Sequence, residues 1–263
     1  LAASSNYNLT FVDGTLAITA RPITITADNK TKVYGDSNPN LTYTYTSGNL
    51  VNGDALTGAI TTTADEKTSV SSVSITRGTL AASSNYNLTF VDGTLAIDRR
   101  PITVTAVNTS RVYGDSNPEF IYNVATDNGI TRGLVNGDTL IGTPSTTAIA
   151  TTNVGTVLIT QGTLINTNNT NYTIIFNNGT LTIDRRPITV TAITETRTYN
   201  GTIESSKTPT YTGLIAADTG KLTGLAQVFN SANANGTNGS TLSVSTYVLD
   251  LTISGNYTVV TIN

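Results

Sequence analysis

The chain has 263 residues, of which 12% are charged, and a formal net charge of −3. It contains no Cys, His, Met or Trp, which removes disulfides, thiolate nucleophiles, imidazole metal ligands and any Ser-His-Asp triad. No basic patch is present to neutralise phosphates and no apolar run reaches membrane-spanning length, so neither nucleic acid nor membrane insertion is expected. The polar balance rests on Thr, Asn, Ser and Gly, residues that favour strands and turns over helices. Ile, Val, Leu and Tyr recur at regular spacing, which separates the chain from a disordered one.

Self-similarity decides the organisation. Residues 1–18, LAASSNYNLTFVDGTLAI, recur unchanged at residues 80–97. RPITITA at residues 21–27 returns as RPITVTA at residues 100–106 and 186–192. VYGDSNP at residues 33–39 returns at 112–118, and LVNGD at 50–54 returns at 134–138. The repeat is therefore roughly 80 residues long. Residues 1–20 read as the closing hairpin of a truncated preceding repeat. A first repeat spans residues 21–99, a second spans 100–185, and a divergent third spans 186–263. In the third, TYNG at 198–201 replaces VYGD, and GLIAAD at 213–218 replaces GLVNGD. The opening in mid-repeat suggests an excerpt of a longer protein.

Period two runs through each repeat. Ile23 and Ile25 alternate with Thr24 and Thr26. Leu41, Tyr43 and Tyr45 alternate with Thr42, Thr44 and Thr46. Val73/Ile75, Tyr86/Leu88/Phe90 and Leu95/Ile97 continue the pattern. The second repeat matches with Ile102/Val104, Tyr172/Ile174/Phe176 and Leu181/Ile183. Such alternation predicts strands with one Thr-rich wet face and one face in a small apolar core. LVNGD leaves room for a short helical turn. Val91-Asp92-Gly93-Thr94 and Asn177-Asn178-Gly179-Thr180 read as hairpin turns with positive φ, joining the last two strands of each repeat. Asp98-Arg99-Arg100-Pro101 and Asp184-Arg185-Arg186-Pro187 lead from one repeat into the next without a flexible linker, and proline stiffens the joint. The expected fold is all-β: tandem small modules, β-grasp-like or β-sandwich, arranged as an elongated rod.

The Y-G-D-x-N-P loop is the first candidate for chemistry. Asp36, Asn38 and Asp54, and their repeats Asp115, Asn117 and Asp138, are oxygen donors of the kind Ca²⁺ takes. The competing and favoured reading is structural: Tyr34 anchors the loop, Gly35 takes an unusual φ and Asp36 caps a turn. The third repeat retains Asp218 alone of these acids, and turn-forming Asp residues explain the others, so no catalytic residue, cofactor or enzymatic activity is expected. The second repeat has no Lys, which excludes a Lys-based isopeptide crosslink there. Arg99-Arg100 and Arg185-Arg186 are expected to pair with the adjacent Asp98 and Asp184.

In order, V-Y-G-D-x-N-P, G-L-V-N-G-D, N-Y and the closing G-T-L-x-I resemble the YGX type of MBG module. The third repeat, with Thr198-Tyr199-Asn200-Gly201-Thr202, Gly213-Leu214 and Gly255-Asn256-Tyr257, is similar to the related YDG type, departing at Asn200 where Asp is usual. The resemblance covers almost the whole chain. It implies a small β module, β-grasp-like, repeated in secreted bacterial adhesins of the filamentous-haemagglutinin kind, with no catalytic residues and no defined ligand. The expected function is a stalk or spacer segment of a cell-surface adhesin or extracellular fibre. The alternatives are a module that binds glycans or host and matrix surfaces directly, and a subunit of a head-to-tail polymer formed by strand complementation. Partners are then neighbouring copies of the chain or surface glycans.

Overall fold

The computed structural model describes residues 4–128, 132–166 and 170–263. The chain divides into two compact units, Leu1–Arg100 and Pro101–Asn263. Among the described residues there is no α-helix, and no helix is long and apolar enough to cross a membrane.

The first unit holds one repeat. Its strands are β1 (Arg21–Ala27), β2 (Lys30–Val33), β3 (Tyr43–Ser47), β4 (Thr61–Thr62), β5 (Ser72–Thr76), β6 (Tyr86–Val91) and β7 (Gly93–Asp98). They form two sheets, ordered β3-β1-β6 and β2-β7-β5-β4. β1 runs parallel to β6, with Ile23 opposite Leu88 and Ile25 opposite Phe90. β2 runs parallel to β7, with Lys30 opposite Leu95 and Lys32 opposite Ile97. The first strand and the last strand of the repeat are thus each bent once, and they stay paired on both sides of the bend. The alternation read from the sequence holds at Ile23, Ile25, Ile75, Leu95 and Ile97, which are buried, with the intervening Thr24 and Thr26 at the margin of the core; it fails in β3, where Tyr45 is 41% exposed and Leu41 lies outside the strand.

The bend corrects one expectation. Asp92-Gly93 and Asn178-Gly179 are not hairpin turns, because β6 and β7 belong to different sheets and neither glycine has a positive φ. Glycine is needed there for space. A Cβ on Gly93 would stand 2.6 Å from the Ala27 carbonyl oxygen, and one on Gly179 would stand 2.9 Å from that of Ala106. The side chain of Asn29, between β1 and β2, accepts from the Thr94 N–H at 2.8 Å, and Asn108 accepts from the Thr180 N–H at 2.8 Å. These contacts tie the two bends together.

Positive φ belongs instead to LVNGD. Asn52 and Gly53 both have it, as do Asn136 and Gly137. The Asp54 N–H donates to the Val51 carbonyl at 3.0 Å. This is a type I′ turn, for which Asn-Gly is the preferred pair, and not a helical turn. The third repeat has Ala-Ala at this point, residues that avoid positive φ, and it forms the 3₁₀ turn Ala216–Asp218.

The second unit holds two repeats. The second repeat comprises β8 (Arg100–Ala106), β9 (Thr109–Val112), β10 (Tyr122–Val124), β11 (Gly155–Ile159), β12 (Tyr172–Asn177) and β13 (Gly179–Asp184). Its sheets, β10-β8-β12 and β11-β13-β9, follow the strand order of the first repeat without a strand in the place of β4, with β9 parallel to β13. The third comprises β14 (Arg186–Thr191), β15 (Thr210–Thr212), β16 (Leu222–Phe229), β17 (Leu242–Leu249) and β18 (Tyr257–Ile262). It keeps the first sheet as β15-β14-β18, with β14 parallel to β18, and replaces the second by the hairpin β16-β17. The β-grasp-like and sandwich alternatives resolve into two small sheets per repeat.

Residues 4–20 form no strand, so the expected hairpin at the start of the chain is not there. Residues 4–18 copy residues 83–97 letter for letter, yet Tyr7, Phe11 and Ile18 are 77%, 67% and 87% exposed where Tyr86 and Ile97 are 8% and 3%. The copy at 80–97 is ordered by pairing with β1 and β2, and residues 4–20 have no such partners among the described residues.

The duplicated segment supplies a matched test. Gly93→Ala forces a methyl group into the Ala27 carbonyl and is expected to cost about 1–3 kcal/mol in the urea unfolding transition of the first repeat. Gly14→Ala, in the same local sequence with no atom within 4 Å of the added Cβ, is expected to leave that transition unchanged. Equal effects at the two positions contradict the bend.

Candidate functional site

The recurring motifs converge on one kind of place, the loop that follows the second strand and the joint beside it. A basic residue stands two positions before each loop tyrosine: Lys32, Arg111 and Arg197. The Lys32 ammonium is buried and donates to the Asp36 and Asp65 carbonyls at 3.2 and 2.5 Å. The Arg111 guanidinium, also buried, donates to the Ile149 carbonyl at 2.5 Å and to Asn117 Oδ1 at 2.7 Å. Burial lowers its pKa from the ordinary 12.5, an effect opposed by the Asp115 charge. Arg197 donates to the Glu204 and Thr202 carbonyls. In each repeat a cation on the protein itself gathers loop carbonyls.

A second arrangement repeats in every copy. The Tyr86 hydroxyl donates to Asp54 Oδ2 at 2.7 Å and accepts from the Val51 N–H at 3.0 Å. The Tyr172 hydroxyl donates to Asp138 Oδ2 at 2.6 Å and accepts from the Val135 N–H at 3.0 Å. In the third repeat the Tyr257 hydroxyl donates to Asp218 Oδ2 at 2.6 Å. The tyrosine of the N-Y pair therefore clasps the turn whose Asp closes it.

The joint between the second and third repeats brings these parts together. The Tyr113 hydroxyl of the Y-G-D loop reaches Asp218 Oδ2 at 3.1 Å, so that carboxylate accepts from two phenols. The Tyr113 and Tyr257 rings meet edge to face, 5.4 Å apart. Asn256 accepts from the Val154 N–H and donates to Asn153 Oδ1, both at 2.9 Å. The Arg186 guanidinium turns back to the Tyr113 carbonyl at 3.0 Å and to Asp115 Oδ1 at 2.6 Å. Gly114 has φ +89, and a Cβ there would lie 2.3 Å from Ile215 Cγ2 of the third repeat. Beneath this layer Tyr113, Leu181 and Ile183 of one repeat and Ile188, Leu222 and Tyr257 of the other share one buried apolar cluster. Arg100, which ends the first unit, makes the same backward reach as Arg186, to the Tyr34 carbonyl at 3.0 Å and to Asp36 Oδ1 at 2.8 Å.

The sequence candidates for a calcium site are spread over different tasks. Asp36 and Asp115 accept from Arg100 and Arg186. Asn38 and Asn117 donate to the Ala64 and Ala148 carbonyls at 2.6 and 2.7 Å. Asp54 and Asp138 hold tyrosine hydroxyls. Among the described residues no three His, Cys, Asp or Glu side chains gather closely enough to share a metal ion. The acids paired with the joint arginines are those of the Y-G-D loops and not the adjacent Asp98 and Asp184. These two give their backbone carbonyls to the Tyr34 and Tyr113 N–H groups, both at 2.9 Å. The buried cations Lys32 and Arg111 went unread in the sequence, although their spacing to the tyrosine is the same in all three repeats.

Comparison with known families matches the MBG domain (YGX type) over residues 23–96 and 102–182, and the YDG domain over residues 184–263. No curated protein matches the chain.

Two predictions follow from the joint geometry. Arg100 is 2% exposed and Arg186 is 29% exposed. Arg100→Ala is therefore expected to destabilise its repeat by about 2–3 kcal/mol, losing a buried charged donor to two acceptors. Arg186→Ala is expected to cost about 1 kcal/mol or less in the second unit, since its carboxylate partner stands half in solvent. Urea unfolding of both variants checks the ranking.

The second concerns alkali. Burial first, and then Asp218, raises the Tyr113 and Tyr257 hydroxyls above the ordinary 10.0. Above that pH the unfolded chain releases these protons while the folded unit retains them. Stability from the pair is complete below pH 10 and falls as pH rises through the raised values. Tyr113→Phe is expected to flatten that fall in the unfolding midpoint of the second unit. An unchanged slope contradicts the assignment.

Proposed function

We propose that this chain, which belongs to the MBG (YGX type) and YDG domain families, is a stalk or spacer segment of a bacterial surface adhesin or extracellular fibre. The reading rests on one observation: in each repeat the strand that enters and the strand that leaves are hydrogen-bonded neighbours running parallel. In the first repeat these are β1 with β6 and β2 with β7. In the second, β9 pairs with β13, and in the third, β14 pairs with β18. Tension applied along the chain pulls the start of the first strand against the end of the last. The ladder between them is then loaded in shear, with its bonds strained together and not opened one after another. A fold meant to hold two points apart gains from that arrangement, while a fold meant to surround a substrate does not need it.

The joint adds to this reading. Arg185 alone separates β13 from β14, and the connection is backed by the Arg186, Tyr113 and Asp218 contacts. The repeats act by keeping distance, in an extended array outside the cell, with no reaction assigned to any residue.

Pulling the full chain by its ends in a force spectrometer is expected to give discrete unfolding peaks, one for each repeat. Extension without peaks sinks the mechanical reading. By scattering, duplicating the residues 100–185 repeat is expected to lengthen the particle by a fixed increment, and an unchanged maximum dimension excludes a spacer.

A further inference from the structure

Asparagine followed by glycine recurs along the chain, and the fold holds the copies in different settings. The pair matters because its backbone can react with its own side chain. No Cβ shields the glycine N–H, so the amide nitrogen can approach the asparagine Cγ. The setting decides whether it does. A five-membered ring of the Asn Cα, Cβ, Cγ and carbonyl carbon with the Gly nitrogen must close, and the side-chain oxygen must take up charge as it forms.

Most of the described pairs are held away from that geometry. Asn52 and Asn136 open I′ turns with positive φ at both members, and the Tyr86 and Tyr172 hydroxyls pin those turns through the Val51 and Val135 N–H groups. Gly179 is a ladder residue of β13, opposite Ile159 and set against the Ala106 carbonyl. The Gly239 N–H is committed to the Gly236 carbonyl at 3.3 Å. Asn235 turns its amide to Ser240 Oγ, also at 3.3 Å.

Asn200-Gly201 differs. It lies in an exposed stretch outside any strand. The Asn200 side-chain carbonyl already accepts from the Thr202 N–H at 3.1 Å and from the Thr202 hydroxyl at 3.2 Å. Two donors thus face the oxygen on which negative charge would develop. Gly201 has φ +72, and a Cβ added there would meet only Tyr199 Oη, at 3.9 Å, so the peptide is open to water. Arg197 fixes the loop through the Thr202 and Glu204 carbonyls, which keeps the Thr202 donors in place.

We propose that Asn200 is a self-modification site, converted to aspartate in the folded protein. The Gly201 nitrogen gives its proton to water and attacks Asn200 Cγ. Charge gathers on Oδ1 under the Thr202 donors. The Cγ–Nδ2 bond then breaks, and the side-chain nitrogen leaves as ammonia with a proton from water. Water next adds to the cyclic imide. Opening the bond from Cγ to the Gly201 nitrogen gives aspartate, and opening the other carbonyl–nitrogen bond gives isoaspartate. In sum one amide and one water become one acid and one ammonia, with no oxidant and no second enzyme. Aspartate then carries a full charge on the oxygens that two donors already face, and charge-assisted bonds are the stronger kind. The product gives the third repeat an acid just after its loop tyrosine, as the first two have in Asp36 and Asp115. This inference does not depend on the spacer reading.

The test keeps the full chain in mildly alkaline buffer and maps its peptides by mass spectrometry over time. The peptide holding Asn200 is expected to gain aspartate ahead of those holding Asn52, Asn136 and Asn235, while a more acidic species grows at the same rate on ion exchange. Thr202→Val keeps the side-chain shape and removes the hydroxyl. It is expected to slow the conversion about five-fold, the worth of one neutral hydrogen bond. Asn200→Gln, which needs a larger ring, is expected to abolish that acidic species. In urea, where the settings are lost, the preference for Asn200 is expected to vanish. An Asn200 that stays intact, or that converts no faster than Asn52 and Asn235 in the folded chain, overturns the proposal. An unchanged rate in Thr202→Val assigns the conversion to the dipeptide alone and also overturns it.

Discussion

The first repeat depends on a pair of parallel strands that bend at the same level. Parallel ladders need partners far apart in sequence, and they form only when the intervening chain brings both strands together. Here the cost of closing that loop is offset by placing the most buried side chains on the pair itself. Ile23 and Ile25 lie on one member and Leu95 and Ile97 on the other, all at 3% exposure or less. The bend sets the two halves of the pair in different sheets. It requires a residue without a side chain beside the Ala27 carbonyl, and Asn29 to satisfy the N–H that the bend turns away from the ladder.

The Y-G-D loop of the second repeat builds the surface on which the third repeat sits. In the second unit, Tyr113, Gly114 and Asp115 meet Asp218, Ile215 and Arg186 respectively. A carboxylate as buried as Asp218 is costly unless its lone pairs are used, and two phenol donors, one from each repeat, meet that demand. Only one donor belongs to the same repeat, so the third repeat satisfies Asp218 fully by docking. This couples the local stability of one repeat to the presence of its neighbour, as in other arrays whose units bury surface against one another.

Much of this was legible in the residues, and the failures have physical causes. Strand positions, repeat boundaries and inward faces follow from period two, because a strand offers its side chains to alternate sides wherever it lies. The glycine bends were misread because Asp-Gly carries a strong local preference for hairpins, while the deciding fact at Gly93 is a carbonyl from a strand distant in sequence. LVNGD was misread in the opposite direction: its Asn-Gly is the true I′ turn. The Arg100 and Arg186 pairs were assigned to the acids beside them in sequence, but the carboxylates that the guanidiniums reach are Asp36 and Asp115, brought alongside by the Y-G-D loops, a juxtaposition that depends on contacts distant in sequence. The buried Lys32 and Arg111 escaped because an isolated basic residue in a strand reads as a solvated one until its carbonyl neighbours are known.

The duplicated segment isolates what the local sequence can and cannot do. Residues 4–18 and 83–97 share every side chain and every intrinsic propensity, and they differ in whether β1 and β2 lie alongside. With those partners the segment is two ladder strands, and Leu95 and Ile97 are core residues. Without them, Leu16 and Ile18 face solvent. Propensity and pattern therefore define a strand-competent segment, and the edge it meets decides whether the strand forms.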